Sequence, residues 1–172
     1  MTMNAEIAIY LAQALNIFAF IALAIWYVVP RLSRLTRAGA LMALTCVHLG
    51  RTLCLQVYSS QDAGLKMPNA IRDQIVVGDL AGWALALFIL FCLHWRLRLS
   101  IPLIWLLVVE TAVDFALGTV RLIHAGAIGD VNGTSWLIVA FYLPIVQVAL
   151  VLTIWQLVTR RGEPLFTAEG RR

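Results

Sequence analysis

Five apolar runs alternate with short polar connections along the chain, and the polar residues held inside those runs are its most informative feature. The runs lie at about 7–29, 38–58, 73–95, 101–123 and 135–158. Each is long enough, at ~1.5 Å per helical residue, to cross ~30 Å of hydrocarbon. The pattern predicts an all-α integral membrane bundle of five transmembrane helices over residues 1–159, with a polar tail at 160–172 that is expected to be mobile. Glu6 and the lack of basic residues before the first run argue against a removable signal, so this run is expected to remain as the first span.

The fourth run, IPLIWLLVVETAVDFALGTVRLI, carries Glu110, Asp114 and Arg121. With Gly118 they step by 4, 4 and 3 residues, which places them on one helical face. A charge in hydrocarbon costs several kcal/mol (~3 on insertion scales), so this stripe must turn toward protein partners or water. The second run adds His48 and Arg51, and the third adds Asp79.

Composition supports the membrane reading. The chain is 62% hydrophobic and 13% charged, against roughly 45–50% and about 25% in soluble domains. The mean hydropathy is +0.88. The net charge of +4 does not signal nucleic acid, because the basic residues gather at the ends of the runs. Arg31, Arg34, Arg37, Arg96, Arg98, Arg160, Arg161, Arg171 and Arg172 fall on one side, and the opposite connections hold only Lys66 and Arg72. The positive-inside rule then places the N-terminus outside and the C-terminus in the cytoplasm of an inner or plasma membrane.

With that direction, rise per residue converts sequence into depth. Arg51 and Asp114 each lie ~20 Å from the cytoplasmic end of their helices, and Asp79 comes to a similar level from the other side. Arg51 is therefore expected to bridge Asp79 and Asp114, since a guanidinium serves two carboxylates at once. His48 and Glu110 are expected to share a second plane about one turn nearer the midplane. Arg51 and Arg121 against Asp79, Glu110 and Asp114 leave one surplus negative charge, so a proton is expected on Glu110 or His48. Arg121, near the outer boundary, is expected to snorkel.

Other polar positions carry weaker signals. Gln13 and Asn16, three residues apart, are expected to bond a neighbouring helix. Gly78 and Gly82 form a GxxxG read as helix packing within the bundle in preference to homodimerisation. Pro144 is expected to kink the fifth helix and free a carbonyl for Tyr142 or the neighbours of Gln147, itself a candidate ligand-binding residue. The connection at 59–72 is a candidate lid, with Asp73 capping the next helix.

Chemistry of known types finds little purchase. His48, His94 and His124 fall at three different depths, which argues against a haem held by two of them. Cys46, Cys54 and Cys92 lack metal-binding spacing and read as small core residues, and no HExxH occurs; no cofactor or metal is expected. The foremost reading is a non-catalytic accessory or ligand-binding membrane component. The alternatives are an oligomeric proton-coupled or cation transporter and, next, an intramembrane acid/base enzyme on a lipid-like substrate. The expected partners are the lipid bilayer and a homo-oligomer or larger membrane complex.

HLGRTLCLQ, VVGDLAGWALAL, WLLVVETAVDFALG and SWLIVAFYLPIVQVAL, spread over about 38–158, resemble a set of uncharacterised bacterial small integral membrane proteins. These pair a Gly-Asp helix with a Trp/Asp helix, followed by an aromatic-Pro helix. The resemblance marks Gly78, Asp79, Trp105, Asp114 and Pro144 as shared features and implies no activity. Glu110-Thr111 departs from the polar or glycine turn that those proteins carry before the helix-four Asp.

Overall fold

The computed structural model describes residues 4–131 and 133–166. The fold is all-α among them: α1 (Ala5–Leu32), α2 (Arg37–Asp62), α3 (Asn69–His94), α4 (Ser100–His124) and α5 (Gly133–Thr159). All five are long and apolar enough to cross a membrane. Their outward surface is apolar, as Phe18 (75% exposed), Trp26 (68%) and Val151 (65%) illustrate. Trp105, a residue of the sequence resemblance, also points outward at 40% exposure.

Helices α2, α3, α4 and α5 form the bundle, and α1 lies outside it against α5. One core cluster, including Leu41, Ala86, Ile89, Ile104, Leu107 and Leu157, fills the half of the bundle beside the basic 33–36 and 95–99 turns. We call that end the basic face and the opposite end the far face. There the end of α2 meets the start of α5, and Ser60 and Ser135 share a hydrogen bond of 2.5 Å.

Three helices depart from α geometry, and each departure has a local cause. α1 contains a π turn at Ala24–Val28 that lets it run through Pro30 to Leu32, beyond the end expected at residue 29. α5 contains the equivalent π turn at Ile138–Tyr142, again two residues before a proline. Here Leu143 N–H bonds the Ile138 carbonyl, which frees Val139 O, while Pro144 has no N–H for Ala140 O. Gln13 Nε2 donates to Val139 O at 2.9 Å and Asn16 Nδ2 to Ala140 O at 2.8 Å. The two amides thus repair the defect from the next helix. Tyr142, expected to use a carbonyl freed within α5, instead donates its hydroxyl to Val47 O of α2 at 3.0 Å.

Asp73 does not cap α3, which begins at Asn69; its carboxylate pairs with Arg72 at 2.7 Å. The tail is docked over the part that is described. Arg37 Nη1 donates to Glu163 O at 3.0 Å, Arg160 holds the carbonyls of Leu32 and Leu35, and Leu165 and Phe166 pack on the core cluster. Two apolar residues near the end of a polar segment are enough to anchor it, which overall polarity does not reveal. Residues 167–172 of the expected tail lie outside the described residues.

Candidate functional site

The site is built on the stretch of α2 that leaves α geometry. Val47–Leu55 form a 3-10 helix nine residues long, well beyond the usual three or four. At about three residues per turn, side chains at i and i+3 stack in line, so His48, Arg51 and Cys54 all point inward, and all are buried, as is Val57 in the α-helical turn that follows. Gly50 permits the packing that fixes this stretch. A Cβ there would come within 2.8 Å of the Tyr142 ring.

Arg51 is 3% exposed and meets three carboxylates. Its Nε donates to Asp79 Oδ1 at 2.9 Å, Nη1 to Glu110 Oε2 at 2.6 Å and Nη2 to Asp114 Oδ2 at 2.6 Å. Thr111 Oγ1 accepts a longer bond from Nη1, at 3.3 Å. Depth reckoning brings Arg51, Asp79 and Asp114 together, as the geometry shows, but it misplaces Glu110. That residue does not pair with His48. Backbone depth omits side-chain reach, and carboxylates from successive turns of α4 converge on the two ends of one guanidinium fork.

The glycines of VVGDLAG make the room. A Cβ at Gly82 would collide with the Arg51 guanidinium, and one at Gly78 with the Asp114 carboxylate. The GxxxG stripe therefore accommodates charged side chains as well as close helix packing. Asp79, between the two glycines in sequence, supplies the third helix's acid.

Beyond the cluster, toward the far face, lies a half-open chamber of about 130 Å³ between α2, α3, α4 and α5. Asp79 and Asp114 form part of its lining, and each keeps about a quarter of its side chain exposed (25% and 24%). The rest is almost wholly apolar, with Phe115, Leu122, Ile138 and Leu143 among the walls and Leu65 and Met67 of the 63–68 connection over one side. The expected lid segment therefore contributes two lining residues. Gly118 also faces the chamber, and a Cβ there would meet no atom within 4 Å. α4 packs on α5 mainly through the latter's Leu143–Thr159 portion, so the chamber separates the two helices near the far face.

The remaining candidates lie elsewhere. Gln147 lines a cleft between α1 and α5 with Ile21, Ala24 and Val151, remote in sequence and packing from the acids. Arg121 is half-buried and forms no ion pair among the described residues. The guanidinium of Arg51 thus faces three formal negative charges without a second arginine in the cluster. Glu110 Oε1 and His48 Nδ1 are both buried without a hydrogen-bond partner. Among the described residues, no group of three or more His, Cys, Asp or Glu side chains is arranged to hold a metal ion.

What this arrangement can do is bind. It joins a pre-formed apolar space to carboxyl oxygen atoms, and the side chains that bear them are held in place by one buried arginine. Sequence reasoning missed the chamber, because a void is set by how four helices diverge, and only the unexplained Gly118 in the polar stripe pointed to it.

Searches of the curated proteins and of the solved structures find no match to the chain. The family profile described as "Domain of unknown function (DUF8737)" matches residues 8–158, which include all the residues of the cluster and of the chamber. The chain belongs to that family.

Proposed function

We propose that this protein is a multi-pass component of a cell (inner) membrane, N-terminus outside and C-terminus cytoplasmic, that binds a small, largely apolar ligand without transforming it. The observation that carries this reading is the opening of the Asp79 and Asp114 carboxylates onto the chamber. A purely structural ion cluster would be closed over and dry. An apolar cavity of ~150 Å³ suffices for a molecule the size of benzene, so the chamber takes a compact group of that order.

Photolabelling tests the proposal in reconstituted liposomes. A neutral alkanol bearing a diazirine should leave adducts on Phe115, Ile138 or Leu143, mapped by mass spectrometry. Gly118→Leu fills the open space beside those residues and should remove these adducts, while adducts on outward residues such as Phe18 persist. Chamber labelling that is absent, or that survives Gly118→Leu unchanged, would contradict the reading.

Transport of a proton or cation is the second reading, favoured by the excess of acid over base in the cluster. It predicts flux in liposomes that disappears in Asp114→Asn. A proton carried on Glu110 or His48 belongs to this second reading, and the unpartnered buried Oε1 of Glu110 supports the first of the two. Glu110→Gln without effect on stability, binding or flux would count against that role.

A further inference from the structure

From the charge and shape of the chamber together, we infer that its ligand is a cationic amphiphile, whose ammonium head sits against Asp79 and Asp114 and whose chain leaves between α4 and α5. This rests on the proposal that the chamber is a binding site.

Charge selects the head. Arg51 supplies one positive charge to three carboxylates, and each acid spends one oxygen on it: Asp79 Oδ1, Glu110 Oε2 and Asp114 Oδ2. No other cationic side chain forms an ion pair with these acids among the described residues; the charge of Arg121 reaches Asp114 only through space, and two positive charges against three still leave one acid in surplus. An anionic head would meet a surplus of its own sign in a weakly screening interior. A positive head offsets the surplus.

The walls select among cations. A divalent metal needs six or more oxygen ligands at fixed distances, and the chamber offers few polar groups beside the two acids: Thr119, Ser135 and the thiol of Cys54. An alkylammonium head has apolar substituents that the walls accommodate, and Phe115 adds an aromatic residue of the kind that favours such cations.

Shape selects the tail. A chamber of about 130 Å³ holds a head of trimethylammonium size but not a long chain as well. The separation of α4 from α5 near the far face, with Gly118 open and Thr119 exposed, leaves a lateral path for the chain. The outward surfaces of both helices are apolar there, with Leu117, Val120 and Leu137 exposed, so a chain that emerges would continue along lipid-like surface.

The test uses three photoprobes on one diazirine-alkyl scaffold, ending in trimethylammonium, hydroxyl or sulfonate, with the full chain in liposomes. Adducts on outward residues serve as the internal reference for membrane partitioning. The ammonium probe should label the chamber about tenfold more than the alcohol, the share of one charge–charge attraction that survives the cation's own desolvation. The sulfonate probe should label it least. Asp79→Asn and Asp114→Asn should each reduce the ammonium preference, and Gly118→Leu should abolish chamber labelling by every probe. Equal labelling by ammonium and alcohol probes, both lost in Gly118→Leu, would overturn the cation inference and leave the chamber reading standing. Chamber labelling by none of the probes would overturn both. Should the aspartate variants fail to fold, the three-probe comparison in the native chain decides alone.

Discussion

At the scale of single residues, the cluster is asymmetric. Arg51 is irreplaceable in a way that no one of its acids is, because it alone separates three carboxylates. Arg51→Met should lower stability by about 3–5 kcal/mol, the usual result of stranding buried charge. Asp79→Asn keeps an oxygen for Nε and removes a surplus negative charge, so it should cost well under half as much. Thermal unfolding of the two variants in one detergent checks the order, and equal losses would show that the acids are balanced rather than in excess. Gly82→Ala should cost about 1–3 kcal/mol by forcing the guanidinium aside, read by the same melting curve. Much of this was legible beforehand. A charged residue in each of three apolar runs, with rise per residue, is enough to bring Arg51, Asp79 and Asp114 to one level. Glu110 was not, since a level reckoned from the backbone ignores how far a side chain reaches.

At the scale of elements, the irregular turns do the positioning. The 3-10 stretch of α2 aligns His48, Arg51 and Cys54, and the π turn of α5 brings Tyr142 onto Gly50 and the Val47 carbonyl. Pro144 announces a defect in the sequence, and Gln13 and Asn16 announce polar partners in search of bonds. Nothing in the chain says that these belong together, because each amide and its carbonyl partner are more than 120 residues apart and meet only in the fold. A double-mutant cycle exposes the link. Asn16→Leu should cost about 1 kcal/mol by leaving Ala140 O without a donor. In a Pro144→Ala background, residue 144 regains an N–H for that carbonyl, and Asn16→Leu should then cost much less. Additive effects would mean that Asn16 does not serve the proline defect.

At the scale of the whole molecule, the five-helix pattern was the most legible feature, since length and apolarity are properties of each run alone. The chamber was the least legible, since it exists only where four helices diverge. The distribution of arginines sets orientation in this account, and a fluorescent protein fused after Arg172 should light up in the cytoplasm. An alkaline phosphatase fused there should stay inactive, and the reverse pattern would invert the proposed topology. The tail packs on the basic face, through Arg37, Arg160 and Glu163. That contact ties the end of α5 to the start of α2, the helix that carries Arg51.

The most direct measurement is the reaction rate of a single thiol placed in the chamber. Gly118→Cys, made with Cys46, Cys54 and Cys92 changed to alanine, puts that thiol where a Cβ meets no neighbour. It can then be challenged with trimethylammonioethyl and sulfonatoethyl methanethiosulfonate. The account predicts modification by the cationic reagent with a preference over the anionic one that exceeds that of an exposed reference thiol, and that falls when Asp114→Asn is added. No modification by either reagent, or a preference that matches the exposed thiol, would contradict it.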